Sequence, residues 1–150
     1  MYSRGRWSAT PLRLCDNQFA RTGDPTLAPL LLVGAGGFLG AIARYLLDAR
    51  ITAWTGGSLP WGTFAVNMTG SFVLGVLFAL IVERAALPAD LRAPLLIGFL
   101  GSYTTFSTLA LESWRMVEDG AWLYATANLA GSVIIGVVAV VAGVSIGRAI

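Results

Sequence analysis

Residues 93–111 read APLLIGFLGSYTTFSTLAL, an uncharged run closed by Glu112. Its length is close to the roughly 20 residues that a helix needs to cross about 30 Å of hydrocarbon. Near its middle, behind Gly101, the residues Ser102, Tyr103, Thr104, Thr105, Ser107 and Thr108 place six hydroxyls in seven positions. A lone Ser or Thr in a membrane helix bonds the carbonyl four residues back, and its hydroxyl competes for backbone partners. A run this dense cannot do so throughout while facing lipid. The stretch therefore predicts a membrane-crossing helix that is locally broken at a protein-lined site. Unwound carbonyls at such a break are cation ligands, and half-helix N-termini attract anions.

Three more apolar stretches flank this one. They are 27–47, LAPLLLVGAGGFLGAIARYLL; 61–82, WGTFAVNMTGSFVLGVLFALIV; and 121–147, AWLYATANLAGSVIIGVVAVVAGVSIG. The first has one charge, Arg44, and the other two have none. Backbone groups in lipid must be satisfied internally, so spans this apolar are helices, and the alternation of a membrane barrel is absent. The fold class is thus an all-α membrane protein with four transmembrane helices, multi-pass, with both termini on one side. Trp54, Trp61, Trp114 and Trp122 fall at span ends, where interfacial aromatics belong.

The composition agrees. Of 150 residues, 56% are hydrophobic and 12% charged, and the net charge is +2. The chain has no His, a single Cys (Cys15) and ten basic residues, all of them Arg. This excludes a disulfide scaffold, a Cys/His metal site, His-based catalysis and a nucleic-acid-binding chain. Residues 1–26 differ from the rest, with Arg4, Arg6, Arg13, Arg21, Asp16 and Asp24 and no apolar run. They lack the apolar core of a signal peptide and read as a flexible N-terminal extension to a membrane domain at 27–150.

Orientation in a membrane follows the Arg count near span ends. Arg84, Arg92 and Arg148 fall on one side and Arg44, Arg50 and Arg115 on the other, three against three. Such a tie arises by chance in a chain with few charges, or it marks dual topology, in which copies insert both ways and pair antiparallel. The four Arg of the extension shift the count to seven against three, with the termini inside. Small residues four apart, at Gly36/Gly40, Ser71/Gly75, Ser132/Gly136 and Gly143/Gly147, permit close helix approach within one chain, between two, or both.

Several polar residues in the spans are candidates for chemistry. Asn67, in VNMTGSF, is costly in a membrane unless bonded. It reads either as interhelical glue or as an NH₂ donor to a bound anion. Asn128 and Ser132, one turn apart, carry the same two readings. Phe106 stands inside the hydroxyl run, and an aromatic edge is positive enough to face an anion. Arg44, near a span end, is placed to snorkel, and Glu112 to pair with Arg115. The first, second and fourth spans hold no carboxylate. No catalytic set is present, and Gly34–Gly40 sits inside an apolar span with no strand before it, which discounts a dinucleotide loop.

These residues resemble the CrcB/Fluc family of fluoride channels over about 30–147. GGFLGAIARY, GTFAVNMTGSFVLG, GFLGSYTTFSTLALE and NLAGSVIIG carry the resemblance in order, one motif per span. The resemblance implies a dual-topology homodimer in the plasma membrane (in bacteria, the inner membrane), with two antiparallel pores that export fluoride passively. It implies a structural sodium ion at the dimer centre, held by the Gly101 and Thr104 carbonyls. It implies a pore lined by Asn67, Phe106, Ser107, Thr108 and Ser132, with Asn128 beside it; Arg44 and Glu112 match the family's charged positions. One departure stands out: the family's second pore phenylalanine is Leu109 here. Two other classes compete. A small multidrug exporter also has four spans but needs a membrane-embedded Glu in the first. A non-transporting membrane subunit explains the packing motifs but not the hydroxyl run.

Overall fold

The computed structural model describes residues 27–57 and 59–150. The N-terminal extension expected at 1–26 lies outside the described residues. Among the described residues five α-helices follow one another: α1 Leu27–Thr55, α2 Trp61–Phe78, α3 Leu100–Tyr103, α4 Phe106–Glu118 and α5 Trp122–Ala149. π-helical turns extend α2 through Ala79–Glu83 and precede α3 at Ala93–Phe99, and a 3-10 turn at Ala89–Leu91 lies between them. Four helical runs among the described residues are long and apolar enough to cross a membrane: Leu27–Thr55, Trp61–Glu83, Ala93–Glu118 and Trp122–Ala149.

The helical runs exceed the expected spans, most of all at α1, which continues past residue 47 through Asp48 and Arg50 to Thr55. Nothing in DARITAWT breaks a helix, and polar turns can continue beyond the hydrocarbon. Termination waits for Gly56 and Gly57, whose φ angles of 74° and 68° are left-handed. In the third run, helical dihedrals stop after Tyr103. Thr104 (ψ 155°) and Thr105 (φ −147°, ψ 113°) are extended, and the helix resumes at Phe106.

Small residues set the packing. A Cβ on Gly36 or Gly40 would collide with the carbonyl of Pro94 or Phe99, so α1 lies directly on the backbone of the Ala93–Phe99 turn. Likewise α2 and α5 touch through Gly75 against the Val140 carbonyl and Gly143 against that of Phe72. Gly147 packs on Val76 and Ala79. The close approaches at Gly36/Gly40 and Gly143/Gly147 are therefore made within one chain. The buried core is narrow, with Val66, Ala79, Leu96, Leu100, Leu109 and Ala125, while Leu31, Phe38, Val133, Ile134 and Val138 are exposed. This is the arrangement expected of a chain whose outer surface meets lipid or another chain rather than water.

One end of the bundle is tied by charge. Arg84 donates to the carbonyls of Gly147 (3.3 Å) and Arg148 (3.2 Å), which α5 leaves unpaired at its C-terminus. Arg148 in turn donates through Nε and an Nη to both carboxylate oxygens of Glu83, each at 2.6 Å.

Candidate ion-conduction site

The interruption at Thr104–Thr105 is held from α2. The Asn67 Oδ1 accepts from the Thr105 backbone N–H at 2.8 Å, and the Asn67 Nδ2 donates to the Thr105 carbonyl at 3.0 Å. One side chain therefore bonds both backbone groups of an extended residue. Of Asn67's two readings, the interhelical bond is the one made; its second N–H proton is left over. Two residues along α2, the Thr69 hydroxyl meets the Tyr103 hydroxyl at 2.7 Å. Gly70 leaves room for the Tyr103 ring and the Thr104 methyl.

Thr105 also opens α4. Its hydroxyl accepts from the Thr108 N–H at 3.3 Å, a side-chain cap of a kind that satisfies one orphan donor of a helix start. The same oxygen lies 2.9 Å from the Thr108 hydroxyl and 3.4 Å from that of Ser107. The hydroxyls of Ser107 and Thr108 thus converge on one buried residue, whereas that of Thr104 donates to the Leu100 carbonyl at 3.0 Å.

Two cavities adjoin this region. The larger, about 300 Å³, is bordered by Asn67, Gly101, Thr104, Phe106, Leu109 and Ser132 among others. The smaller, about 220 Å³, is bordered by Trp61, Phe64, Met116, Tyr124, Asn128 and Ser132 among others. Ser132 belongs to both, is 5% exposed, and its Oγ has no hydrogen-bond partner. Neither lining includes a charged side chain. Asn128 donates to the Ser113 hydroxyl at 2.9 Å, and Ser113 donates to the Leu109 carbonyl at 2.8 Å.

The residues singled out in the sequence therefore divide. Asn67, Phe106, Ser132, Gly101 and Thr104 share the larger cavity, and Asn128 joins Ser132 on the smaller. Ser107 and Thr108 border neither and turn to Thr105. Arg44 is half-buried on α1, and Glu112 lies on α4. The expected ion pair of Glu112 with Arg115 does not form; Glu112 Oε1 accepts from the Thr63 hydroxyl at 2.8 Å instead, and its Oε2 is buried without a partner. Sequence reasoning did not single out Thr63 or Ser113, whose partners lie on other helices 49 and 15 residues away. It also gave Thr105 no role of its own, although the hydroxyl run that contains it was the available signal.

Among the described residues, four membrane-length helices, the last three of which border uncharged cavities lined by amide and hydroxyl side chains, define a multi-pass membrane protein with a polar site among its helices. A family profile described as CrcB-like protein, Camphor Resistance (CrcB), matches residues 31–144, and the chain belongs to that family. It is 43% identical over 118 residues to a protein of Magnetococcus marinus named "Fluoride-specific ion channel FluC", covering 79% of this chain and 96% of the relative. Relatives of the same name from Nitrobacter winogradskyi (42% over 121 residues) and Hahella chejuensis (43% over 121 residues) are covered to 96% and 95%, each with 81% of this chain. The family is one of ion channels, and the chain is not an enzyme.

Proposed function

We propose that this chain conducts fluoride passively out of the cytoplasm and so relieves fluoride toxicity. The observation that carries the reading is the Ser132 hydroxyl, buried and unpaired between two uncharged cavities. A buried polar group left unsatisfied costs about 1–3 kcal/mol, so this donor favours a guest that accepts a hydrogen bond. The names of the relatives at 42–43% identity supply the anion.

Fluoride is small and strongly hydrated, so a pore must replace its water with close donors. Ser132 and the spare N–H of Asn67 are neutral donors on the path, with Asn128 beside it, while the hydroxyls of Ser107 and Thr108 join it only by turning away from Thr105. Phe106 offers the positive edge of its ring. Conduction also needs binding weak enough to release the ion, and cavities without a cationic side chain suit that need.

The larger cavity opens beside Gly101 and Phe106, both exposed, Phe106 to 75%. In the proposed assembly a second, inverted copy covers this side, giving an antiparallel homodimer with two pores. The even Arg count outside the extension supports inversion, and the interruption at Thr104–Thr105 then falls at mid-membrane. A sodium ion fits between the copies on chemical grounds. A continuous helix would give the Gly101 and Thr104 carbonyls the N–H groups of Thr105 and Thr108. Here those donors go to Asn67 and to the Thr105 hydroxyl, and no other described donor reaches either carbonyl. Unwound carbonyls of this kind are sodium ligands, and the bound ion would supply a fixed positive charge that biases the interior toward anions.

Expression in fluoride-sensitive cells tests the reading. Growth in fluoride without added resistance to cationic dyes is expected. Dye resistance without fluoride resistance would overturn it in favour of a multidrug-type exporter.

A further inference from the structure

Resting on that reading, we infer that Asn67 is a positioning residue for cation binding: by pairing with the Thr105 backbone it keeps the Gly101 carbonyl open as a ligand. In an unbroken helix the Thr105 N–H would bond the Gly101 carbonyl, four residues back. It goes instead to Asn67 Oδ1 at 2.8 Å, and the Asn67 Nδ2 secures the arrangement by donating to the Thr105 carbonyl at 3.0 Å. The released Gly101 carbonyl and the Asn67 amide border the same cavity. Without the amide, both backbone groups of Thr105, a residue 7% exposed, would lack these partners. The least costly repair is to close the helix by one bond, Thr105 N–H to Gly101, which takes the ligand away. Asn67 thereby links the proposed anion path to the proposed cation site, from an α2 position 38 residues distant in the chain from Thr105.

Groups that orient metal ligands typically change affinity about 10- to 100-fold when removed. The test uses the full chain, purified in detergent. Its thermal midpoint is followed as sodium chloride replaces N-methylglucamine chloride at constant ionic strength. Wild type is expected to gain stability with sodium. Asn67→Ala and Asn67→Ser, which add no charge, are expected to need at least about tenfold more sodium for half the gain. Ser132→Ala, on the same cavity but making no bond to Thr105, is expected to keep the wild-type sodium dependence while losing fluoride flux. A folded Asn67→Ser with wild-type sodium dependence overturns the inference and leaves the channel reading intact. If Asn67→Ala does not fold, Asn67→Ser decides. No sodium effect on wild type overturns both the cation site and this inference, whereas fluoride flux is judged separately.

Discussion

Gly40 of α1 lies against the carbonyl of Phe99, so closely that no Cβ fits between them. The contact sits just ahead of α3, and it sets where the interrupted third run lies relative to the rest of the bundle. Gly40→Ala is therefore expected to destabilise the fold, by about 1–3 kcal/mol as for other overpacked cores. Gly34→Ala, where nothing lies within 4 Å, is expected to be neutral or slightly stabilising. Thermal unfolding of the two variants in detergent makes the comparison, and equal midpoints would contradict the packing account.

Asn67→Asp is expected to nearly abolish fluoride flux. The carboxylate would repel the ion, by about 4 kcal/mol for unit charges 4 Å apart at an effective dielectric of 20. A barrier raised that far slows passage roughly a thousandfold. The substitution also replaces the donor to the Thr105 carbonyl with an acceptor. Electrode measurements of fluoride efflux from vesicles provide the check, and unchanged efflux would remove Asn67 from the path.

Ser132→Ala separates a structural from a conducting role. The hydroxyl has no partner in the chain, so its loss should leave stability unchanged or raise it. Fluoride flux should nevertheless fall. A drop in melting temperature with unaltered flux would mean that Ser132 serves only the fold.

Leu109 is buried and borders the larger cavity beside Asn67 and Ser132. Leu109→Phe adds a second aromatic edge beside that of Phe106, and faster fluoride efflux is expected together with a loss of stability from overpacking. A folded variant with unaltered efflux would show that one ring, that of Phe106, suffices.

The four spans were legible because an apolar run of about 20 residues with almost no charge matches the thickness of the hydrocarbon layer. Their ends were not, since helices continue through polar turns such as Asp48–Thr55 until glycines with left-handed dihedrals stop them. The π-helical turns left no mark in composition or periodicity. The hydroxyl run identified the segment in which helical dihedrals lapse, because that density of side-chain acceptors and donors competes with the backbone. It did not identify the partners. Asn67 with Thr105, Thr63 with Glu112 and Asn128 with Ser113 are pairings between helices. Their register depends on how closely glycines let the helices approach, which no local pattern encodes. Ser107 and Thr108 show the same limit, for the chain positions them in the run while the cap at Thr105 decides where their hydroxyls turn.

The most direct test of the central claim is anion efflux from liposomes that contain the purified protein, read with a fluoride electrode and repeated with a chloride electrode. Rapid fluoride loss with negligible chloride loss is predicted. Comparable chloride loss, or no fluoride loss from folded protein inserted in the bilayer, would contradict the account.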